Sequence, residues 1–208
     1  PLEVNPAKVH QRYDLKHVRS SRVTWFGCAC CPPNVARILT SLEKYSYDIS
    51  DDSNSIAIHL YLCGQIIMSD DSVWNITGKY LTDGKIEITY SGEEKDFTLR
   101  LRNPGWSTAC EIRINGLRIK AESEQGYFYI LRKWKNGDTV QLKFGITAQL
   151  VYANTYVEDD AGKVAVMRGP VVFCLEEADN GKNLSELMIG TIESHCENSV
   201  ILNGYREH

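Results

Sequence analysis

The sequence predicts a mainly β protein, with antiparallel β-sandwich domains preceded by a short helical segment. Three observations predict it. The apolar period changes from 3.6 to 2 residues near residue 48. Turn signals then recur at short intervals: Asp83-Gly84, Ser91-Gly92, Asn103-Pro104-Gly105, Asn115-Gly116 and Asn136-Gly137-Asp138. Between them lie short alternating runs, which suit half-buried antiparallel sheets rather than βαβ crossovers.

The helix is predicted from Pro32 to about Tyr45. Pro32 and Pro33 suit a first turn, where backbone N–H groups lack partners anyway. Val35, Ile38, Leu39, Leu42 and Tyr45 recur at helical spacing and form one apolar stripe, which needs a surface to pack on. Arg37 and Lys44 fall off that stripe, toward water or a polar partner. From Ser55, the residues Ile56, Ile58, Leu60 and Leu62 alternate with Ala57, His59, Tyr61 and Cys63, as in a half-buried strand. Further strands are expected at 85–90, 96–102, 111–115, 117–120, 127–132 and 139–144. Asn115-Gly116 fits a type I′ hairpin turn. A second β run covers 150–157, 163–168 and 171–176, and the tail from Asp179 is more polar. The expected organisation is a segment over 1–47, a sandwich over 48–149, and an incomplete second β domain over 150–208.

Composition narrows the function classes. A chain of 208 residues, 43% hydrophobic, can bury roughly 70% of its unfolded surface in one or two domains. With 23 basic and 27 acidic side chains its net charge is -4, and no basic run exceeds two residues, which argues against nucleic acid as a partner. No apolar stretch reaches the roughly 18 residues of a membrane-spanning helix, so no membrane partner is expected. The start, Pro1-Leu2-Glu3-Val4, has no Met and no signal-like region; the chain reads as cut from something larger. Seven cysteines are an odd count, and three crowd into Cys28, Cys30 and Cys31. Cys63, Cys110, Cys174 and Cys196 read as small buried hydrophobes in a reducing, cytoplasmic compartment. Trp106 and Trp134, beside turns, suit either a sugar-stacking platform or, more in keeping with large aromatics, a core or domain interface. His59 reads as a solvated or structurally bonded side chain.

The segment that carries chemistry is Trp25-Phe26-Gly27-Cys28-Ala29-Cys30-Cys31-Pro32-Pro33-Asn34. Two adjacent cysteines and a third two residues upstream precede a helix start, whose partial positive charge favours an anionic sulfur. A thiolate is both a soft metal ligand and a nucleophile. Zinc takes four tetrahedral ligands, so these cysteines leave at least one to come from elsewhere. No second Cys or His pair at finger-like spacing exists here, and three plain thiols beside a turn remain an equal alternative.

The run Cys28-Ala29-Cys30-Cys31-Pro32-Pro33-Asn34-Val35-Ala36-Arg37 resembles the signature of the β-L-arabinofuranosidase family, glycoside hydrolase family 127. The stretches Arg102-Asn103-Pro104-Gly105-Trp106, Trp134-Lys135-Asn136-Gly137-Asp138 and Val164-Ala165-Val166-Met167-Arg168-Gly169-Pro170 resemble its later β region. The resemblance implies an (α/α)6-barrel catalytic domain followed by β-sandwiches, with residues 1–47 a short α-helical remnant of that barrel. It implies that Cys31 is a zinc ligand and that Cys30 is both ligand and nucleophile in a retaining glycoside hydrolase acting on β-L-arabinofuranosides or related sugars. The family's other zinc ligands, in a Glu-x-Cys motif, and its acid/base glutamate lie in the barrel and have no match here. Glu3 falls in a segment that would line the barrel and is a candidate substrate contact. The implied partners are a glycoside or oligosaccharide substrate and the missing barrel domain. Zinc is expected in the intact protein and not in this piece, which is expected to be inactive alone. The competing readings are a non-catalytic β-sandwich module for carbohydrate binding or docking, and a structural zinc or redox protein.

Overall fold

The computed structural model describes residues 29–176, 180–181, 184–195 and 200–206. The chain divides into two compact units, residues 1–43 and 44–208. In the first, a helix runs over Cys31–Leu39, with prolines in its first turn and no buried residue. The predicted helix to Tyr45 is interrupted. The Thr40 hydroxyl bonds back to the Ala36 and Arg37 carbonyls, and the Ser41 hydroxyl to that of Arg37. These side chains compete for the carbonyls that the next helical turn would use. Helix resumes for one turn at Glu43–Ser46.

The described part of the second unit is mainly β, as expected. Its strands are, in order, β1 (Tyr47–Ile49), β2 (Ser55–Ile58), β3 (Gly64–Ile67), β4 (Val73–Lys79), β5 (Lys85–Ser91), β6 (Lys95–Arg102), β7 (Cys110–Ile114) and β8 (Leu117–Ile119). There follow β9 (Ser123–Glu124), β10 (Tyr127–Trp134), β11 (Thr139–Phe144), β12 (Ala148–Tyr152), β13 (Val164–Arg168), β14 (Val171–Phe173), β15 (Leu187–His195) and β16 (Val200–Arg206). One sheet has the order β1-β2-β6-β10-β9 and a second the order β3-β4-β5-β11-β7-β8. They face each other as a sandwich. Strands β12-β13-β14 and the hairpin β15-β16 form two smaller sheets. Among the described residues every strand pairing is antiparallel except β2 with β6, which is parallel.

Alternation explains the core. Ile86, Ile88 and Tyr90 point inward from β5, as do Phe97, Leu99 and Leu101 from β6 and Val140, Leu142 and Phe144 from β11. The expected strand through Cys63 stops at Ile58. Beyond it the N–H groups of His59 and Leu60 both turn to the Ser46 carbonyl, at 2.8 and 3.1 Å, and leave the ladder. The inward residue after this break is therefore Tyr61, whose hydroxyl donates to the Arg102 carbonyl at 2.6 Å; Leu62 is exposed. Asn115 and Gly116 both have positive φ, as a type I′ turn requires.

The scattered cysteines depart from expectation. Cys63 and Cys174 are exposed and lie outside strands, and Cys110 is half-buried. Cys196 lies outside the described residues. Burial pushes the Cys110 thiol up to about 12. Alkylation of the native chain near pH 7 should therefore modify Cys63 and Cys174 well before Cys110, because only the thiolate reacts. Peptide mass mapping over time measures the order, and early labelling of Cys110 contradicts it.

Two turns are tied together by Asp138. Its carboxylate accepts from Asn115 Nδ2 at 2.7 Å and from the Lys135 N–H at 2.9 Å, and it lies 3.2 Å from Arg132 Nη2. Burial pushes its carboxyl up, but these bonds and the charges of Arg132 and Lys135 outweigh burial and hold it below the ordinary value. A depressed native value means that its stabilisation is complete above the unfolded value, about 3.9, and lost as pH falls through the native one. Asp138→Ala should cost about 1–3 kcal/mol near neutral pH, by leaving the donors unpaired. The deficit should shrink in strong acid, as urea unfolding at several pH values would show.

Candidate active site

Cys30 is the N-cap of the helix Cys31–Leu39 and makes no side-chain capping bond. Pro32 and Pro33 have no N–H, so the first turn presents few donors of its own. The start is braced from further along. Asn34 Nδ2 donates to the Cys30 carbonyl at 2.6 Å, and Arg37 Nη2 donates to Asn34 Oδ1 at 2.5 Å. This chain uses the i, i+4 and i, i+3 spacings of a helix, so Cys30, Asn34 and Arg37 share one face. It fixes the peptide that carries Cys30 and brings a guanidinium to the same turn. In the sequence Arg37 points only to water or an unspecified polar partner, and Asn34 has no evident role. The helical spacing from Cys30 was the signal that could have found both.

The Sγ atoms of Cys30 and Cys31 are 3.8 Å apart, and both residues are exposed. Two sulfurs bound to one tetrahedral zinc at about 2.3 Å each lie about 3.8 Å from one another. The pair therefore fits two corners of a zinc site, with the soft donors that zinc favours. Among the described residues no group of three or more His, Cys, Asp or Glu side chains is placed to hold a metal. Cys28 and Glu3 lie outside the described residues.

The other residues singled out in the sequence have structural places. Trp134 is fully buried, and its Nε1 donates to the Phe97 carbonyl at 2.9 Å. Trp106 is half-buried against Phe144 and Tyr80. Trp134 thus offers no ring face to a sugar. His59 Nδ1 lies 2.6 Å from the Tyr127 hydroxyl, with the rings edge to face. Among the described residues no helix is long and apolar enough to cross a membrane.

Comparison with known proteins matches both β regions. The family model for the β-L-arabinofuranosidase GH127 middle domain matches residues 55–146, and that for the glycoside hydrolase family 127 C-terminal domain matches residues 148–201. A non-reducing end β-L-arabinofuranosidase of Bifidobacterium longum subsp. longum is 36% identical over 82% of this chain and 27% of its own length. Ara127N-Se, a GH127 β-L-arabinofuranosidase from Geobacillus stearothermophilus T6, is 40% identical, with a TM-score of 0.80 over 91% of this chain and 30% of that one. The GH127 β-arabinofuranosidase BT3674 is 34% identical, with a TM-score of 0.73 over 81% of this chain and 30% of that one. The chain spans less than a third of the length of these relatives. Two consecutive domain matches and this likeness in sequence and fold place the chain in glycoside hydrolase family 127, of which it carries the middle and C-terminal domains.

Proposed function

We propose that this chain is the C-terminal portion of a zinc-dependent, cysteine-nucleophile retaining glycoside hydrolase acting on β-L-arabinofuranosides or related sugars. The observation that carries the reading is the pair of adjacent thiols, 3.8 Å apart, at a helix start. The names of the relatives supply the substrate class. Residues 1–47 belong on this reading to a barrel whose larger part lies outside this chain, with 48–149 and 150–208 as the β domains that follow.

Zinc, when bound, would hold both sulfurs as thiolates and supply positive charge beside the reacting carbon. Cys30 Sγ attacks the anomeric carbon: a C–S bond forms as the glycosidic C–O bond breaks. The electron pair leaves with the aglycone oxygen, which takes a proton from an acid outside this chain. Water then attacks the same carbon and gives its proton to the resulting base. The C–S bond breaks, Cys30 departs as thiolate, and two inversions give net retention. Cys31 holds and orients, while Asn34 and Arg37 keep the Cys30 peptide in place. Glu3 is a candidate substrate contact. On this reading the acid and the remaining metal ligands come from outside this chain, so the chain alone should neither turn over substrate nor hold zinc tightly. A reducing cytoplasm would keep the pair as thiols.

In the intact protein, Cys30→Ser should lower hydrolysis of an aryl β-L-arabinofuranoside by more than about 1000-fold with the unfolding midpoint unchanged. An alcohol stays protonated where a thiol can ionise. Cys31→Ser should act through metal affinity, so added zinc should recover part of the rate. Full activity in the Cys30→Ser protein refutes the assignment. The isolated 208-residue chain should show no hydrolysis, and metal analysis after gel filtration should find no stoichiometric zinc. One tightly held zinc per chain would mean that the ligand set is complete within it.

A further inference from the structure

We propose that the outward face of the six-stranded sheet binds a glycan bearing carboxylate groups, such as uronate residues; the inference rests on the reading of this protein as carbohydrate-active. It begins with an arrangement that folding disfavours. Lys79 stands directly opposite Lys85, and Lys85 directly opposite Lys143, in one row across β4, β5 and β11. Like charges facing each other across strands are destabilising. All three side chains are exposed. Among the described residues none of them forms an ion pair. Lys143 Nζ donates one of its three N–H groups to the Asp83 carbonyl at 2.5 Å. The acid next in the row, Glu111, is engaged by Arg113 Nε at 2.6 Å. The chain as a whole carries a net charge of -4, so this face is basic against the balance of the molecule.

A second row runs beside the first. Thr77, Glu87, Gln141, Arg113 and Arg118 are successive cross-strand partners. Gln141 Nε2 donates to Glu87 Oε2 at 2.8 Å, so the planar groups in the middle of the row are already ordered. Both rows border an open depression of about 560 Å³, lined by Lys85, Glu87, Glu111, Arg113, Gln141 and Lys143.

The mixture selects the ligand. A polyanion without hydroxyl groups would meet Glu87 and Glu111 in the same depression and have nothing to donate to them. Hydroxyl groups can donate to those carboxylates and accept from the amide and guanidinium, while the carboxylates of successive sugars meet the lysines. Neighbouring strands are about 4.8 Å apart, so successive lysines are spaced by roughly the length of one sugar residue. A polysaccharide with uronate units matches both rows at once.

The test uses the intact protein, with calorimetric binding to polygalacturonate, to its fully methyl-esterified form and to poly-L-glutamate. Polygalacturonate should bind, more weakly as salt rises, and the esterified form and poly-L-glutamate should bind at least about tenfold more weakly. The triple variant Lys79→Gln, Lys85→Gln, Lys143→Gln should lose at least about tenfold in affinity for polygalacturonate. Its unfolding midpoint should be equal or higher, because the like-charge row is gone, and its hydrolysis of an aryl arabinofuranoside should be unchanged. No binding by the wild type, equal binding of the esterified form or of poly-L-glutamate, or unaltered binding by the variant overturns the proposal. Because binding is read without turnover, the two ideas fail separately. An inactive enzyme that binds polygalacturonate refutes the functional reading alone, and an active one that ignores it refutes this proposal alone.

Discussion

The sandwich depends on four aromatic side chains that lock one sheet to the other. Trp74 from β4 and Tyr90 from β5 meet Phe97 from β6 and Trp134 from β10, with Trp74 centred 4.9 Å from Trp134, 4.8 Å from Tyr90 and 5.4 Å from Phe97. Such pairs contribute about 0.5–1.5 kcal/mol each beyond the area they bury. Their geometry matters as much as their energy. The Trp134 indole donates to the Phe97 carbonyl, a residue of the neighbouring strand, so the ring is fixed along β6 as well as between the sheets. A one-residue slip of either strand would put this cluster on the solvent side.

Register fixed in the core dictates what the outer faces display. With Ile86, Ile88, Val140 and Leu142 committed inward, Lys85, Glu87, Gln141 and Lys143 must point out, in rows whose order follows from strand pairing. The turns are fixed by a different device. Asp138 and Asn115 bind each other, and Asn115 Oδ1 also accepts the Thr139 N–H at 2.8 Å, so the hairpin turn of β7-β8 is held against the β10-β11 turn. The start of the helix Cys31–Leu39 relies on neither. Its order comes from bonds within one turn, through Asn34 and Arg37.

Much of this was legible where period and punctuation agree. The strands of β5, β6, β10 and β11 alternate cleanly and are bounded by glycine turns, so their place and facing follow from sequence alone. What was not legible depends on partners distant in sequence. Nothing local in 55–63 says that two N–H groups will turn to Ser46, so the break after Ile58 and the inward turn of Tyr61 escape a period-2 reading. The parallel pairing of β2 with β6 is set by tertiary packing, and short β1, β3 and β9 have too few residues to show a period. Thr40 and Ser41 sit in an apolar helical pattern that hides their competing hydroxyls. Free cysteine is buried more often than not, but that general tendency says nothing about Cys63 at a bend or Cys174 past a strand end. At the candidate site the thiol pair was visible as a motif, whereas its brace needed side-chain geometry.

The places where local rules are broken form the last link. Three lysines opposed across strands and two exposed adjacent thiols lie outside the buried core of the sandwich, and each is locally unfavourable or reactive. A fold whose other features agree with one another can tolerate a few such sites, and they are where function is expected to reside. The two differ in what they still need. The lysine row is complete on a rigid sheet face, with its side-chain spacing set by the strands. The thiol pair fills only two corners of a tetrahedron, so a metal bound there would need ligands from elsewhere, and its binding energy would become folding energy only once that partner is present. On the proposed reading this makes metal, nucleophile and assembly one event: an isolated C-terminal piece keeps its thiols unreactive toward sugar until the rest of the protein completes the site.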